Sequence, residues 1–250
     1  ALTDGKNVLY LTMEMSEERI AERIDANLFN VPIDQLENLS KDMFHNKVNK
    51  IASKTSGQLI IKEYPTGSAH VGHFRALLNE LKLKKDFAPD IIFIDYLNIC
   101  ASSRIKGLSG GINTYSLIKS IAEEIRGLAV EYNGPIVSAT QTTRSGYGSR
   151  DVGLEGTSES FGLPASADLM FALISNEELE GLNQILVKQL KNRYNDPGIN
   201  KRFIVGVDRA RMRLYDVEDS AQNLQDSGQD STPINTFGNR EKKDYGDFKV

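Results

Sequence analysis

The composition argues against a disulfide-stabilised protein and against a membrane protein. Cys100 is the only cysteine of the 250 residues, so the chain cannot form an internal disulfide, which favours a reducing compartment. No stretch approaches the roughly 18 apolar residues of a membrane-spanning helix. The first residues also lack the pattern of a signal peptide. We therefore expect a soluble cytoplasmic protein without a membrane partner.

An excess of positive charge is missing as well. The 30 Lys and Arg residues are outnumbered by 34 Asp and Glu, which gives a net charge of −4. This balance argues against a protein that binds nucleic acid over its whole surface. The net charge does not exclude a local basic channel, because the local electrostatic potential depends on how the charged residues cluster. The hydrophobic content of 40% is sufficient for a packed core.

The sequence also lacks a phosphate-binding loop. It contains no G-x-x-x-x-G-K-[ST] motif, and its Gly5-Lys6 pair is followed by Asn7 and a predicted strand instead of Ser or Thr and a helix. Residues 1–5 have the pattern of a helix end, with Gly5 past the terminus. We therefore expect a strand, the phosphate loop and most of a helix to lie upstream of Ala1.

What the sequence does contain is organised around residues 89–99. Residues 91–94 are apolar without alternation, as in a strand buried on both faces, and the run ends on Asp95. Ligands of parallel sheets bind beyond the carboxyl ends of the strands, where an acid holds a magnesium–phosphate group. This is the pattern of a Walker B strand, although a buried strand that meets water at an acidic residue has the same pattern.

Strands and helices alternate along most of the chain. Residues 7–14 predict a strand, and Ser16 can cap the helix that follows it. Further strands are predicted at 59–64, 135–140, 168–174, 184–190, 202–207 and 212–217, and the longest helices at 68–83 and 114–132. The pattern predicts an α/β domain over residues 1–217, with a mostly parallel central sheet flanked by helices and with C-terminal hairpin strands. Residues 218–250 are polar and predict a disordered tail.

Three predicted strands are followed by polar side chains that suit nucleotide hydrolysis. The side chains are Glu14, Asp95 and Gln141. If the strands are parallel, all three emerge at the same edge of the sheet. A phosphoanhydride hydrolase needs a carboxylate that activates water, an acid in the metal shell and a polar group that senses the γ-phosphate. The repetition at equivalent positions therefore favours a hydrolase site.

Several motifs, in order, resemble those of DnaB-like replicative helicases. Residues 8–15, VLYLTMEM, resemble the motif that follows the phosphate loop in that family, and 94–97, IDYL, resembles its Walker B motif. The series continues with the segments 139–141, 167–168 and 191–193. Within the family, the resemblance is to the T-even phage branch in particular, in the segments 24–27, 64–67, 77–85 and 162–165.

This resemblance implies a RecA-like ATPase core in a hexameric ring that uses ATP and Mg²⁺ to move along single-stranded DNA and separate the duplex. Glu14 would then be the catalytic base, Asp95 would hold the magnesium shell, and Gln141 would couple the γ-phosphate to DNA. Lys191 and Arg193 would reach the nucleotide of the neighbouring subunit. A primase and a helicase loader are the implied protein partners, and the host cytoplasm is the implied location of a phage-encoded protein.

The resemblance also assigns two glycine-rich loops to the channel of the ring. The first covers residues 102–111 and the second covers residues 142–158. Their cations Arg104, Lys106, Arg144 and Arg150 would neutralise phosphates without reading bases. These loops and the Lys191–Arg193 pair favour a helicase over two alternatives, a RecA-like or recombinase-like ATPase without unwinding activity and a non-catalytic ring-interaction module.

Overall fold

The computed structural model describes residues 1–105, 113–142, 162–196 and 198–218, together with Gln222. The chain divides into two compact units, Ala1–Val217 and Glu218–Val250. The first unit contains all the strands and helices named below. The predicted disordered tail lies almost entirely outside the described residues.

Strands and helices alternate through the first unit. In chain order they are β1 (Val8–Thr12), α1 (Glu17–Phe29), α2 (Lys41–Ala52), β2 (Leu59–Glu63), α3 (Val71–Lys85), β3 (Ile91–Asp95), α4 (Thr114–Tyr132), β4 (Ile136–Ser138), α5 (Gly162–Ser166), β5 (Leu169–Ile174), α6 (Glu177–Gly181), β6 (Gln184–Asn192), β7 (Arg202–Asp208) and β8 (Arg213–Asp216). Short 3-10 turns occupy Leu2–Asp4, Ile33–Asn38 and Leu97–Ile99. In this part of the chain, no helix combines the length and apolarity that crossing a membrane would require.

The strands form two sheets of different kinds. The first has the order β2-β1-β3-β4, and each neighbouring pair in it is parallel. The second has the order β5-β6-β7-β8 and is antiparallel throughout. The prediction of a parallel sheet followed by hairpin strands is confirmed. The hairpin strands form a hydrogen-bonded sheet of their own, in which each strand pairs with the strand next to it in the sequence.

The core lies between one face of the parallel sheet and the helices α3 and α4. Leu9, Leu11, Ile92 and Ile94 point into it and are almost completely buried. The other face is less covered, since Phe93 is only half-buried and stacks on Tyr10 at a centroid distance of 6.1 Å. The prediction of a strand buried on both faces therefore holds fully for the face of Ile92 and Ile94 and only in part for the face of Phe93. Aromatic rings from neighbouring strands shield the second face.

The strand boundaries differ from the predictions where local hydrogen bonds turn the chain. β1 ends at Thr12 and not at Glu14, because the Thr12 hydroxyl accepts from Met15 N at 3.1 Å and donates to Met15 O at 2.8 Å. Glu14 therefore lies in the turn after the strand. The Ser16 side chain caps α1 as predicted and accepts from Arg19 N. At the other end of the unit, β6 extends to Asn192 and includes Lys191, which was predicted to follow the strand.

Candidate active site

The carboxyl edge of the parallel sheet brings Glu14 close to Asp95. In the register of β1 and β3, Thr12 lies beside Asp95, and Met13 N donates a hydrogen bond of 3.1 Å to Asp95 O. Glu14 is the next residue after this bond, and its side chain is exposed. Asp95 therefore ends β3 and Glu14 lies in the turn just after the adjacent parallel strand β1, at the edge where ligands of such sheets bind.

The Asp95 side chain is oriented by a tyrosine from the neighbouring strand. Tyr10 Oη donates to Asp95 Oδ2 at 2.9 Å, and both residues lie on the half-covered face of the sheet. Burial, together with the nearby Asp95 carboxylate, raises the pKa of Tyr10, so the hydroxyl keeps its proton and remains a donor. A metal-binding carboxylate is held in place by such partners. Sequence reasoning missed Tyr10, although the two-residue period of β1 places it on the same face as Thr12.

Gln141 reaches the same edge from β4. Its Nε2 donates to Tyr96 Oη at 3.2 Å, and Leu97 N donates to Ala139 O at 3.2 Å, so the segments after β3 and β4 are tied together. Gln141 itself is exposed. The structure thus brings Glu14, Asp95 and Gln141 to one edge of one sheet, while the chemical roles of these side chains remain predictions.

Lys191 and Arg193 lie elsewhere, at the end of β6. Lys191 Nζ donates to Pro164 O, and Arg193 pairs with Asp168 at 2.8 Å. Burial and the positive charge of Arg193 lower the pKa of Lys191. Within the described residues, no hydrogen bond or ion pair joins either cation to Glu14, Asp95 or Gln141. The structure therefore does not bring these cations into the site of their own chain.

Of the cations predicted to contact DNA, only Arg104 is described. Lys106, Arg144 and Arg150 lie outside the described residues. The Arg104 guanidinium is exposed and forms an ion pair of 2.8 Å with Glu123 on α4. An exposed ion pair of this kind is worth only about 0–1 kcal/mol, so a DNA phosphate could displace the carboxylate.

Glu124, which sequence reasoning missed, fixes the start of the first glycine-rich loop. Its side chain is 7% exposed and accepts hydrogen bonds from the Ser102 and Ser103 hydroxyls, from Ser103 N at 2.9 Å and from Arg104 N at 3.4 Å. Burial raises the pKa of this carboxyl, but the hydrogen bonds lower it more, so the net shift is downward. The signal available from sequence was an acid on the apolar face of α4, one helical turn from Ile121 and Leu128.

Replacing Glu124 with glutamine should destabilise the fold. An amide cannot accept from all of these donors, and a buried donor left without its charged partner costs about 2 kcal/mol. Because the folded-state pKa of Glu124 is lowered, its contribution is present above the ordinary carboxyl pKa of 4.5 and is lost as the pH falls through the folded value. Urea unfolding at neutral and at acidic pH measures both effects.

The matched control for this experiment is Glu123→Gln. Glu123 is the adjacent acid on α4, but it is partly exposed and forms ion pairs with Arg104 and Lys119 at the surface. Its replacement should change the free energy of unfolding little at either pH. An equal loss for both variants, or a loss for Glu124→Gln that persists unchanged in acid, would show that the buried carboxylate does not hold the loop.

Comparison with known proteins gives a consistent result at the level of sequence and fold. A family model described as the DnaB-like helicase C terminal domain matches residues 1–189. The chain is 45% identical over 232 residues to a DnaB-like replicative helicase of Enterobacteria phage T4, a match that covers 92% of this chain and 46% of that protein. It is 30% identical over 205 residues to a probable plasmid replicative DNA helicase of Chlamydia psittaci, covering 77% of this chain and 42% of that protein.

Solved structures with low sequence identity share the fold. One of them, an ATPase domain, superposes with a TM-score of 0.69 at 16% identity, over 87% of this chain and 76% of that one. A DnaB-like replicative helicase, solved in a study of its interactions with primase, gives 0.68 at 15% identity, over 87% and 52%. The fold is the RecA-like ATPase fold. The chain spans less than half the length of the two sequence relatives named above.

Proposed function

The chain belongs to the family of DnaB-like helicase C-terminal domains, and from this premise we propose that it is the motor of a replicative DNA helicase. In this proposal the whole protein hydrolyses ATP with Mg²⁺, moves along single-stranded DNA and unwinds the duplex at the replication fork. Its setting is the cytoplasm of the host cell if the protein is phage-encoded.

The observation that carries the proposal is the convergence of Glu14, Asp95 and Gln141 at the carboxyl edge of the parallel sheet. Asp95, oriented by the Tyr10 hydroxyl, suits a magnesium ion, which prefers carboxylate and water ligands. Magnesium, when bound, would neutralise charge on the phosphates. Glu14 is exposed and directly follows Met13, whose backbone N–H donates to Asp95 O. From this position it can accept a proton from a water molecule that attacks the γ-phosphate.

Gln141 has the position to connect hydrolysis with DNA. Its amide is exposed at the site edge, and its chain continues into the second glycine-rich loop, residues 142–158. In the proposal, this loop and the loop at 102–111 face single-stranded DNA through Arg104, Lys106, Arg144 and Arg150. A change at the γ-phosphate would move Gln141 and so the second loop.

The proposal further places six copies in a ring, with Lys191 and Arg193 reaching the nucleotide of the neighbouring subunit. Support comes from the partners of both cations, which among the described residues are Pro164, Ala165 and Asp168 and not Glu14, Asp95 or Gln141, and from the replicative helicases among the relatives. A primase and a helicase loader are the proposed protein partners. The primase is suggested by the structural neighbour that was solved in a study of its interactions with primase.

A strand-displacement assay tests the proposal directly. It uses the whole protein that we propose, in which a phosphate-binding loop precedes this chain. We call it the loop-containing protein. We expect ATP-dependent displacement of the annealed strand from a forked duplex, with hydrolysis stimulated by single-stranded DNA. Stimulated hydrolysis without displacement would indicate a recombinase-like ATPase instead. The absence of both would indicate a non-catalytic ring-interaction module.

A further inference from the structure

The end of the short helix α5 holds several cations. Its carbonyl oxygens at Pro164, Ala165 and Ser166 accept hydrogen bonds from Lys191 Nζ, Arg193 Nη2 and Arg126 Nη1, respectively. The last two bonds measure 2.8 and 2.7 Å. The final carbonyl groups of a helix have no partner inside the helix and carry partial negative charge, so cations are stabilised there.

Asp168 completes this arrangement with a full negative charge. Its Oδ1 accepts from Arg126 Nη1 at 2.7 Å and from Arg193 Nη1 at 2.8 Å. The antiparallel register of β5 and β6 sets Asp168 opposite Arg193, whose backbone N donates to Asp168 O at 3.0 Å. The hydrogen bond from Arg126, with a smaller contribution from Arg193, lowers the pKa of Asp168, so the carboxylate stays charged around neutral pH.

We propose that Asp168, itself held by Arg126, is a positioning residue that fixes the Arg193 guanidinium for its contact with the nucleotide of the neighbouring subunit. The proposal rests on the function proposed above, because that function supplies the contact in trans. Arg126 and Asp168 would act only through Arg193 and touch neither nucleotide nor DNA.

A residue that fixes Arg193 in place is useful because an arginine side chain is flexible. An exposed Arg side chain has many rotamers, and ordering it at the moment of reaction costs conformational entropy. Here two of the Arg193 nitrogens are bound in advance, one to a carboxylate and one to a backbone carbonyl. The remaining N–H donors of the guanidinium stay available for a phosphate. Catalytic groups held in place in this way contribute strongly to rate, and small displacements are costly.

The test is a double-mutant cycle in the loop-containing protein, with Asp168→Asn, Arg193→Ala and the two together. Asp168→Asn keeps the shape of the side chain and removes its charge. We expect it to lower kcat about 10- to 100-fold with little change in KM. In the Arg193→Ala background the same substitution should have no further effect, because the residue through which it acts is missing.

Asp208→Asn is the matched control. Asp208 also binds an arginine, Arg211, at 2.9 Å, but on the hairpin between β7 and β8. Its replacement should leave kcat unchanged. A second readout uses the 250-residue chain and needs no catalysis: in nuclear magnetic resonance spectra, rotation of the Arg193 guanidinium should be restricted in the wild type and become fast in Asp168→Asn.

The outcomes separate this inference from the proposed function. If Arg193→Ala abolishes turnover while Asp168→Asn leaves kcat and guanidinium rotation unchanged, the inference is overturned and the trans contact stands. An Asp168→Asn effect that is equally large without Arg193 also overturns it, because the residue then acts by another route. If Arg193→Ala keeps full turnover, the trans contact itself fails and the inference fails with it.

Discussion

Replacing Glu14 with glutamine in the loop-containing protein should nearly abolish ATP turnover while nucleotide binding persists. A general base contributes about a thousandfold to such a step, and an amide cannot take the proton of the attacking water. Glutamine has the same shape and leaves Asp95 and its Tyr10 partner in place, so the phosphates and magnesium should still bind. Steady-state hydrolysis gives kcat, and equilibrium titration with a fluorescent ATP analogue gives the dissociation constant.

Glu63→Gln is the matched control for this substitution. Glu63 ends β2, lies beside Thr12 in the register with β1 and is exposed at the same edge of the sheet, but it is one strand further from Asp95. Its carboxylate accepts from Glu17 N at 3.3 Å. Its replacement should leave kcat close to the wild-type value. Full turnover by Glu14→Gln, or equal losses for both variants, would contradict the role of Glu14 as base.

The Arg193→Ala variant should lose turnover about a thousandfold, the lower end of the range for an arginine that acts in trans. Its activity should return in part when its subunits are mixed with Glu14→Gln subunits, because each variant supplies the group that the other lacks. In a ring with head-to-tail interfaces, random mixing of equal amounts makes about a quarter of the interfaces complete. Hydrolysis measured across a series of mixing ratios should pass through a maximum.

The control mixture combines Glu14→Gln with Asp95→Ala. Glu14 and Asp95 lie at the ends of the adjacent strands β1 and β3 of the same subunit. Each subunit in the mixture lacks one of the two groups, so no site in the ring contains both. This mixture should stay inactive at every ratio. If the Arg193→Ala mixture is equally inactive although the rings form, Arg193 does not act across the subunit interface.

The sequence was most informative where function depends on strand ends. Glu14, Asp95 and Gln141 follow apolar strands, and parallel pairing then requires their ends to share one edge, whatever the details of packing. The end of β1 was predicted less well, because the turn made by the Thr12 hydroxyl ends the strand before Glu14. Hydrogen bonds of this local kind leave little trace in hydrophobic periodicity.

The side chains that support the site could not be found in this way. The pairs Tyr10–Asp95 and Arg193–Asp168 join residues far apart in the sequence, and their contacts depend on strand register. Helical spacing places Glu124 on the apolar face of α4, but its partner Ser102 lies 22 positions away in the sequence and was not predictable from this spacing. Arg104 was predicted to contact DNA because the family resemblance places its glycine-rich loop in the channel, and its ion pair with Glu123 became visible only in the structure.

A crystal structure of the Glu14→Gln variant of the loop-containing protein, with ATP and Mg²⁺, would show whether the nucleotide binds at the carboxyl edge of the parallel sheet. We expect magnesium within one water molecule of the Asp95 carboxylate and the γ-phosphate between the side chains at positions 14 and 141. Nucleotide bound away from the carboxyl edge of the parallel sheet, or magnesium remote from Asp95, would contradict the proposed site.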